Sequence, residues 1–158
     1  MTIEEIVDDY SNMLFKICLV LLCRETDAQD AVQDTFCRYL ERDREFTDAE
    51  HEKAWLIRVA VNRCKDMIRF EKRHPIVDIA ELTDYYATEQ DGQILEKLFE
   101  LPEKMKVTIY LFYIEGYHVE EIAKILHISE NAVKKRLQRG RLQLKENLNG
   151  NWKGGLAE

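Results

Sequence analysis

Proline and glycine are scarce in this chain, at 2 and 6 of 158 residues. So few breakers leave little room for a turn-rich sheet protein and favour long helices. Nowhere do about 18 apolar residues run together, so no membrane-spanning helix is expected. The first residues are acidic and amphipathic, unlike a secretory signal, and a cytoplasmic location is the expectation. Cys18, Cys23, Cys37 and Cys64 form no C-x-x-C pair, and the histidines have no zinc-ligand spacing. They read as reduced, mostly buried thiols, with no metal and no cofactor. A phosphate-binding glycine loop and a nucleophile–base signature are also missing, which argues against an enzyme. Glu120 and Glu121 are no catalytic pair, since adjacent residues diverge on a helix and acids suit a helix N-terminus.

What is present is segmented charge. The net charge is −7, but residues 1–57 carry −8, 58–74 carry +4, 75–96 carry −6, 97–129 carry −1 and 130–148 carry +4. Two cationic stretches inside an acidic chain suggest two nucleic-acid contacts at chosen patches. The acidic stretches suggest at least one basic protein partner.

Helical periodicity runs through most of the sequence. Ile3, Ile6, Val7, Tyr10, Met13, Leu14 and Ile17 place a first helix from about Thr2 to about Cys23. Thr26-x-x-Gln29 reads as a capping box for a second helix over 27–42, with Ala31, Val32, Thr35, Phe36 and Tyr39 on one face. Thr47-x-x-Glu50 reads as the cap of a third helix reaching about Arg73, where Pro75 stops it. Residues 75–92 are acidic and weakly periodic, as in a linker. A helix from about Gln93 to Leu101 follows, and Pro102 suits the first turn of another that ends before Gly116.

The region from His118 to Arg141 has the layout of a helix-turn-helix. Ile122, Ala123 and Leu126 face inward on its first helix. Ser129 suits the N-cap of the second. On that helix Val133, Leu137, Gly140, Leu144 and Leu148 share the inner side, with Gly140 permitting close backbone approach. Asn131, Lys134, Lys135, Gln138 and Arg139 lie opposite. Asn and Gln can bond adenine edges, and Arg and Lys can bond guanine. Arg136 and Arg141 flank this row as candidate phosphate contacts. Upstream, Arg58, Asn62, Lys65 and Arg69 are spaced by four, three and four residues and share a stripe, opposite Ile57, Val61, Cys64 and Ile68. Such a stripe can hold unpaired bases. Trp55 lies beside it, and packing under the second helix is the better reading for that ring.

Two blocks carry a resemblance. Asp27-Ala28-Gln29-Asp30-Ala31-Val32-Gln33-Asp34-Thr35-Phe36 together with Ala54-Trp55-Leu56-Ile57-Arg58-Val59-Ala60-Val61-Asn62 resembles region 2 of sigma factors. Leu101-Pro102 through Leu144 resembles region 4. In this order, separated by an acidic spacer, they are similar to an extracytoplasmic-function (ECF) sigma factor of the sigma-70 family. The resemblance implies an all-α protein of two small helical domains. Residues 1–74 would bind core polymerase and the −10 element, 75–92 would be an acidic linker, 93–149 would bind the −35 element, and 150–158 would be a tail. It further implies that Asp30, Gln33 and Asp34 contact the β′ clamp helices of RNA polymerase. Asn62 would hold a flipped base of the −10 strand, with Arg58, Lys65 and Arg69 beside it. Asn131, Lys134, Lys135, Arg136, Gln138 and Arg139 would contact −35 duplex DNA, and the same domain would sit on the β flap. A membrane-bound anti-sigma factor is the implied regulator. His118 stands where relatives often have a serine N-cap, and His127 stands where they often have a turn glycine. Ala132 and Lys135 replace small hydroxyl residues on the reading helix. The alternative is a free-standing helix-turn-helix regulator, which would have no need of the acidic block at Asp27–Phe36.

Overall fold

The computed structural model describes residues 2–43, 45–71 and 97–147. Every regular element among them is helical, with no strand. None of these helices is long and apolar enough to cross a membrane. The chain divides into two compact units, Met1–Val77 and Asp78–Glu158.

The first unit is a three-helix arrangement of α1 (Ile3–Leu22), α2 (Glu25–Glu41) and α3 (Ala49–Glu71). Thr2 caps α1: its hydroxyl accepts from Glu5 N–H at 3.2 Å, and the Glu5 carboxylate accepts from Thr2 N–H at 3.0 Å. The helix ends at Cys23, which is left-handed with φ 57° and returns its N–H to the Leu19 carbonyl. Ile6, Leu14 and Ile17 are fully buried, and Leu19–Leu22 are buried on successive sides, so the end of α1 is covered all round.

The expected Thr26–Gln29 box is not the start of α2. The chain turns at Cys23 and Arg24, so the helix has begun by Glu25 and Thr26 already lies in its first turn. Arg24 makes no side-chain cap; it lies 3.8 Å from the buried Asp27, whose charge suits the positive end of the helix. Ala31, Val32, Thr35, Phe36 and Tyr39 are buried as expected, and the Thr35 hydroxyl donates to the Ala31 carbonyl at 2.8 Å. The cap of α3 is shifted by one residue. Asp48 Oδ1 accepts from His51 N–H at 2.8 Å, while Thr47 donates its own N–H to the His51 ring. Aspartate is the stronger cap of the two, so it takes the position. One carboxylate then joins the three helices: Glu52 accepts from Tyr39 at 2.8 Å and from Tyr10 at 3.5 Å.

In the second unit α4 (Glu103–Ile109) follows Pro102, which stands just before the first turn rather than within it. The helix then widens into a π-helical stretch at Tyr110–Ile114 and closes at Gly116, φ 81°. Helix α5 (Val119–Leu126) is capped by Glu121, whose carboxylate accepts from His118 N–H at 2.9 Å. His127 ends it in the left-handed conformation, φ 56°, that a glycine would adopt with less strain. Helix α6 spans Glu130–Asn147. The linker 75–92, the tail 150–158, residues 93–96, Arg73 and Leu148 lie outside the described residues.

Candidate nucleic-acid interface

Three faces carry the expected site residues. On α6 the sorting of residues is sharp. Val133, Leu137, Gly140 and Leu144 are buried, while Asn131, Lys134, Lys135, Gln138 and Arg139 are exposed. The Ser129 hydroxyl accepts from Ala132 N–H at 3.1 Å and starts the helix. Gly140 sets the depth of the packing. A Cβ there would collide with Ile109 Cδ1 and come within 3.1 Å of Ile109 Cγ1. The two flanking arginines differ from the row. Arg141 Nε donates to the Tyr113 hydroxyl at 2.7 Å, so that guanidinium braces α6 against the π-helical stretch. Arg136 is half-buried, its Nη1 is enclosed without a hydrogen-bond partner, and burial pulls its guanidinium below the ordinary arginine range.

On α3, Leu56, Ile57, Ala60, Val61, Cys64 and Met67 form the buried side, and Ile68 is only half-buried. Asn62 and Arg69 are exposed, while Arg58 and Lys65 are half-buried. Asp66 lies 3.9 Å from Arg69, a weak surface pair. Where this stripe begins, the structure adds a feature that local pattern did not reveal. A cavity of about 300 Å³ opens between the end of α2, the connecting segment and the start of α3. It is lined by Arg42, Asp43, Phe46, His51, Trp55 and Arg58. Phe46 sits edge-on to His51 at 5.2 Å and to Trp55 at 5.6 Å, measured between ring centroids. The Arg42 guanidinium stacks 3.7 Å over Tyr39 and lies 4.9 Å from the Phe46 ring. Trp55 does pack against α2, through Tyr39 at 6.2 Å, and it is also a wall of the cavity. The isolated Phe46 among charged residues was the available sequence signal.

On α2, Asp30, Gln33 and Cys37 are exposed, and Leu40 continues their row at 64% exposure. Asp34 is at the edge of this row and accepts from Arg63 Nε at 2.6 Å. An apolar groove of about 630 Å³ runs beside it, with Val7 and Phe15 of α1 facing Val32, Gln33 and Phe36 of α2. Cys18, Cys23 and Cys64 are buried and Cys37 is exposed.

Comparison with known proteins places these faces in a family. Residues 6–74 match the model for sigma-70 region 2, and residues 91–144 match that for sigma-70 region 4. The ECF RNA polymerase sigma factor SigW of Bacillus subtilis is 30% identical over 163 positions, covering 91% of this chain and 87% of SigW. The RNA polymerase sigma factor SigV of the same species is 29% identical, covering 90% and 91%. CnrH, solved in complex with the cytosolic domain of CnrY, matches with a TM-score of 0.69 at 26% identity, over 95% of this chain and 89% of CnrH. The sigma factor RpoE of Bartonella quintana, solved with the anti-sigma factor NepR, has a TM-score of 0.73 over 94% and 98% of the two chains; at 20% identity it speaks to the fold alone. Both regions occur in family order, and SigW aligns over most of its length, so the chain belongs to the ECF group of sigma-70 RNA polymerase sigma factors and serves transcription initiation.

Proposed function

We propose that this protein binds core RNA polymerase and directs it to a small set of promoters by two separate DNA contacts. It performs no covalent chemistry itself. The observation that carries the reading is the sorting on α6: five polar side chains of the kinds that read base edges stand exposed, while the opposite side is locked into its unit. Asn131, Lys134, Lys135, Gln138 and Arg139 read the −35 duplex, and the N-terminal turn at Ser129 faces phosphate. Arg136, half-sunk beside them, holds the backbone.

The −10 contact belongs to α3. Asn62, Arg58, Lys65 and Arg69 hold the melted strand. The cavity walled by Phe46, His51 and Trp55 has room for one extruded base, with aromatic faces to stack on and Asp43 and the arginines at its edge. Stacking of this kind offsets the few kcal/mol that unstacking a base costs. Asp30, Gln33 and Asp34, with exposed Leu40, dock on the β′ clamp helices, and the second unit sits on the β flap. Functional boundaries follow as 1–74 for polymerase and −10 binding and 93–149 for −35 binding. Residues 75–92 tether the two contacts, which gain from being held together on the polymerase. Regulation by a membrane-bound anti-sigma factor fits the complex of CnrH with the cytosolic domain of CnrY.

Run-off transcription tests the proposal. Core enzyme supplied with this protein should initiate from a subset of host promoters that core alone does not use. Equal transcription with and without the protein on every host template would reject it. A free-standing regulator would instead bind its operator tightly without core enzyme.

A further inference from the structure

Arg63 belongs to the cationic stretch of the first unit, yet it does not join the row of Arg58, Asn62, Lys65 and Arg69. Its Nε donates to Asp34 Oδ2 at 2.6 Å and ties α3 to α2. The two side chains keep 33% and 45% of their exposure, so the pair sits at the rim of the α2 face and not in the core. Asp34 stands one helical turn from exposed Asp30 on that face. The neighbouring carboxylate on α3, Asp66, is turned toward Arg69. A carboxylate offers two oxygens and about four acceptor positions. Arg63 bonds one oxygen through one N–H and so holds Asp34 from one side only.

An unheld aspartate at a surface samples several rotamers, and a partner must freeze it on docking. A short charge-assisted bond removes that freedom beforehand. We propose that Arg63 is a positioning residue for core polymerase binding: it clamps one oxygen of Asp34 and leaves the other presented to a cationic group of the polymerase. This rests on the reading of α2 as the polymerase face. Lysine would keep the charge but lose the planar fork that fixes the carboxylate's direction.

The test titrates the labelled full-length protein with core RNA polymerase and compares Arg63→Ala, Arg63→Lys, Asp34→Asn and the Arg63→Ala/Asp34→Asn pair. Thermal unfolding of each variant is followed in parallel. Arg63→Ala should weaken core binding by about five-fold, the scale of one partly exposed ion pair. Arg63→Lys should recover part of that loss. In the Asp34→Asn background Arg63→Ala should cause no further loss, because its effect passes through the carboxylate. A merely structural role would lower the unfolding midpoint without this coupling. Weakened binding for Asp34→Asn but wild-type or tighter binding for Arg63→Ala overturns the positioning role and leaves the polymerase face standing. An equal loss with and without the Asp34 carboxylate also overturns it, since Arg63 would then act independently. Wild-type affinity for Asp34→Asn removes the polymerase reading of this face, and the role of Arg63 with it.

Discussion

Each unit carries a cationic helix, and the two use their charges differently. On α6 the lysines and arginine of the outer row stand in solvent, and the buried side opposite them is apolar. On α3 the cations other than Arg69 are drawn into the fold. Arg58 and Lys65 are half-buried, Arg58 walls a cavity, and Arg63 is bonded to α2. Long exposed side chains suit the edges of bases in a duplex groove. Half-buried ones beside aromatic rings suit a base that has left its stack. On the proposed reading, recognition and stability rest on the same residues in the first unit, whereas in the second they rest on opposite sides of one helix.

Substitutions can break that contrast. The largest effect is expected from Trp55→Ala, which removes a ring packed on Tyr39 and Phe46 and should destabilise the first unit by about 3 kcal/mol in chemical denaturation. Open-complex formation should fall with it; loss of only one property would separate what the cavity is expected to combine. Gly140→Val should destabilise the second unit by about 2 kcal/mol through overpacking on Ile109, with the first unit's transition unmoved. Lys134→Ala and Arg139→Ala should leave both unfolding transitions within about 0.5 kcal/mol of wild type. Each should weaken promoter use by roughly 1.5 kcal/mol, as expected of a base contact. Normal promoter use by both would move the reading face elsewhere on the helix. Asn62→Ala should lower the open-to-closed complex ratio by about 1 kcal/mol, the scale of one hydrogen bond, without weakening the closed complex.

The smallest difference concerns alkaline pH. Tyr10 and Tyr39 are held above their ordinary 10.0 first by burial and then by Glu52. Tyr110 is pushed up further, by burial and then by Glu115. A raised folded value means the stabilisation is complete below pH 10 and is lost as pH rises through the folded value. Both units should therefore weaken above pH 10, and Tyr110→Phe should spare the second. An unchanged alkaline transition in that variant would place the loss on another group.

Helix faces were legible in the sequence wherever one period ran unbroken. The buried and exposed sides of α2 and α6, the bounds of α1, and the Ser129 cap follow from 3.6-residue spacing and local hydrogen bonding. Starts that depend on tertiary geometry were less legible. The helix α2 begins before Thr26 because the chain reverses at Cys23, and Asp48 displaces Thr47 as cap. The π-helical turn at Tyr110 has no periodic signature. Of the contacts between distant positions, only the packing of Trp55 on α2 was legible. Phe46 and His51 gain meaning only once α2 and α3 bring them to one cavity. Asp34 looks like a solitary surface acid until Arg63 reaches it from another helix, so reversing its charge would disturb the fold as well as any partner contact.

Gly140 has one more consequence. With no side chain at that position, α6 packs where an added Cβ would meet Ile109, so its inner side is matched to α4 at this point. The azimuth of the outer row is thus set by an atom that is missing. On the proposed reading, divergence toward new promoters would proceed by exchanging residues on the outer face, which leaves this packing untouched.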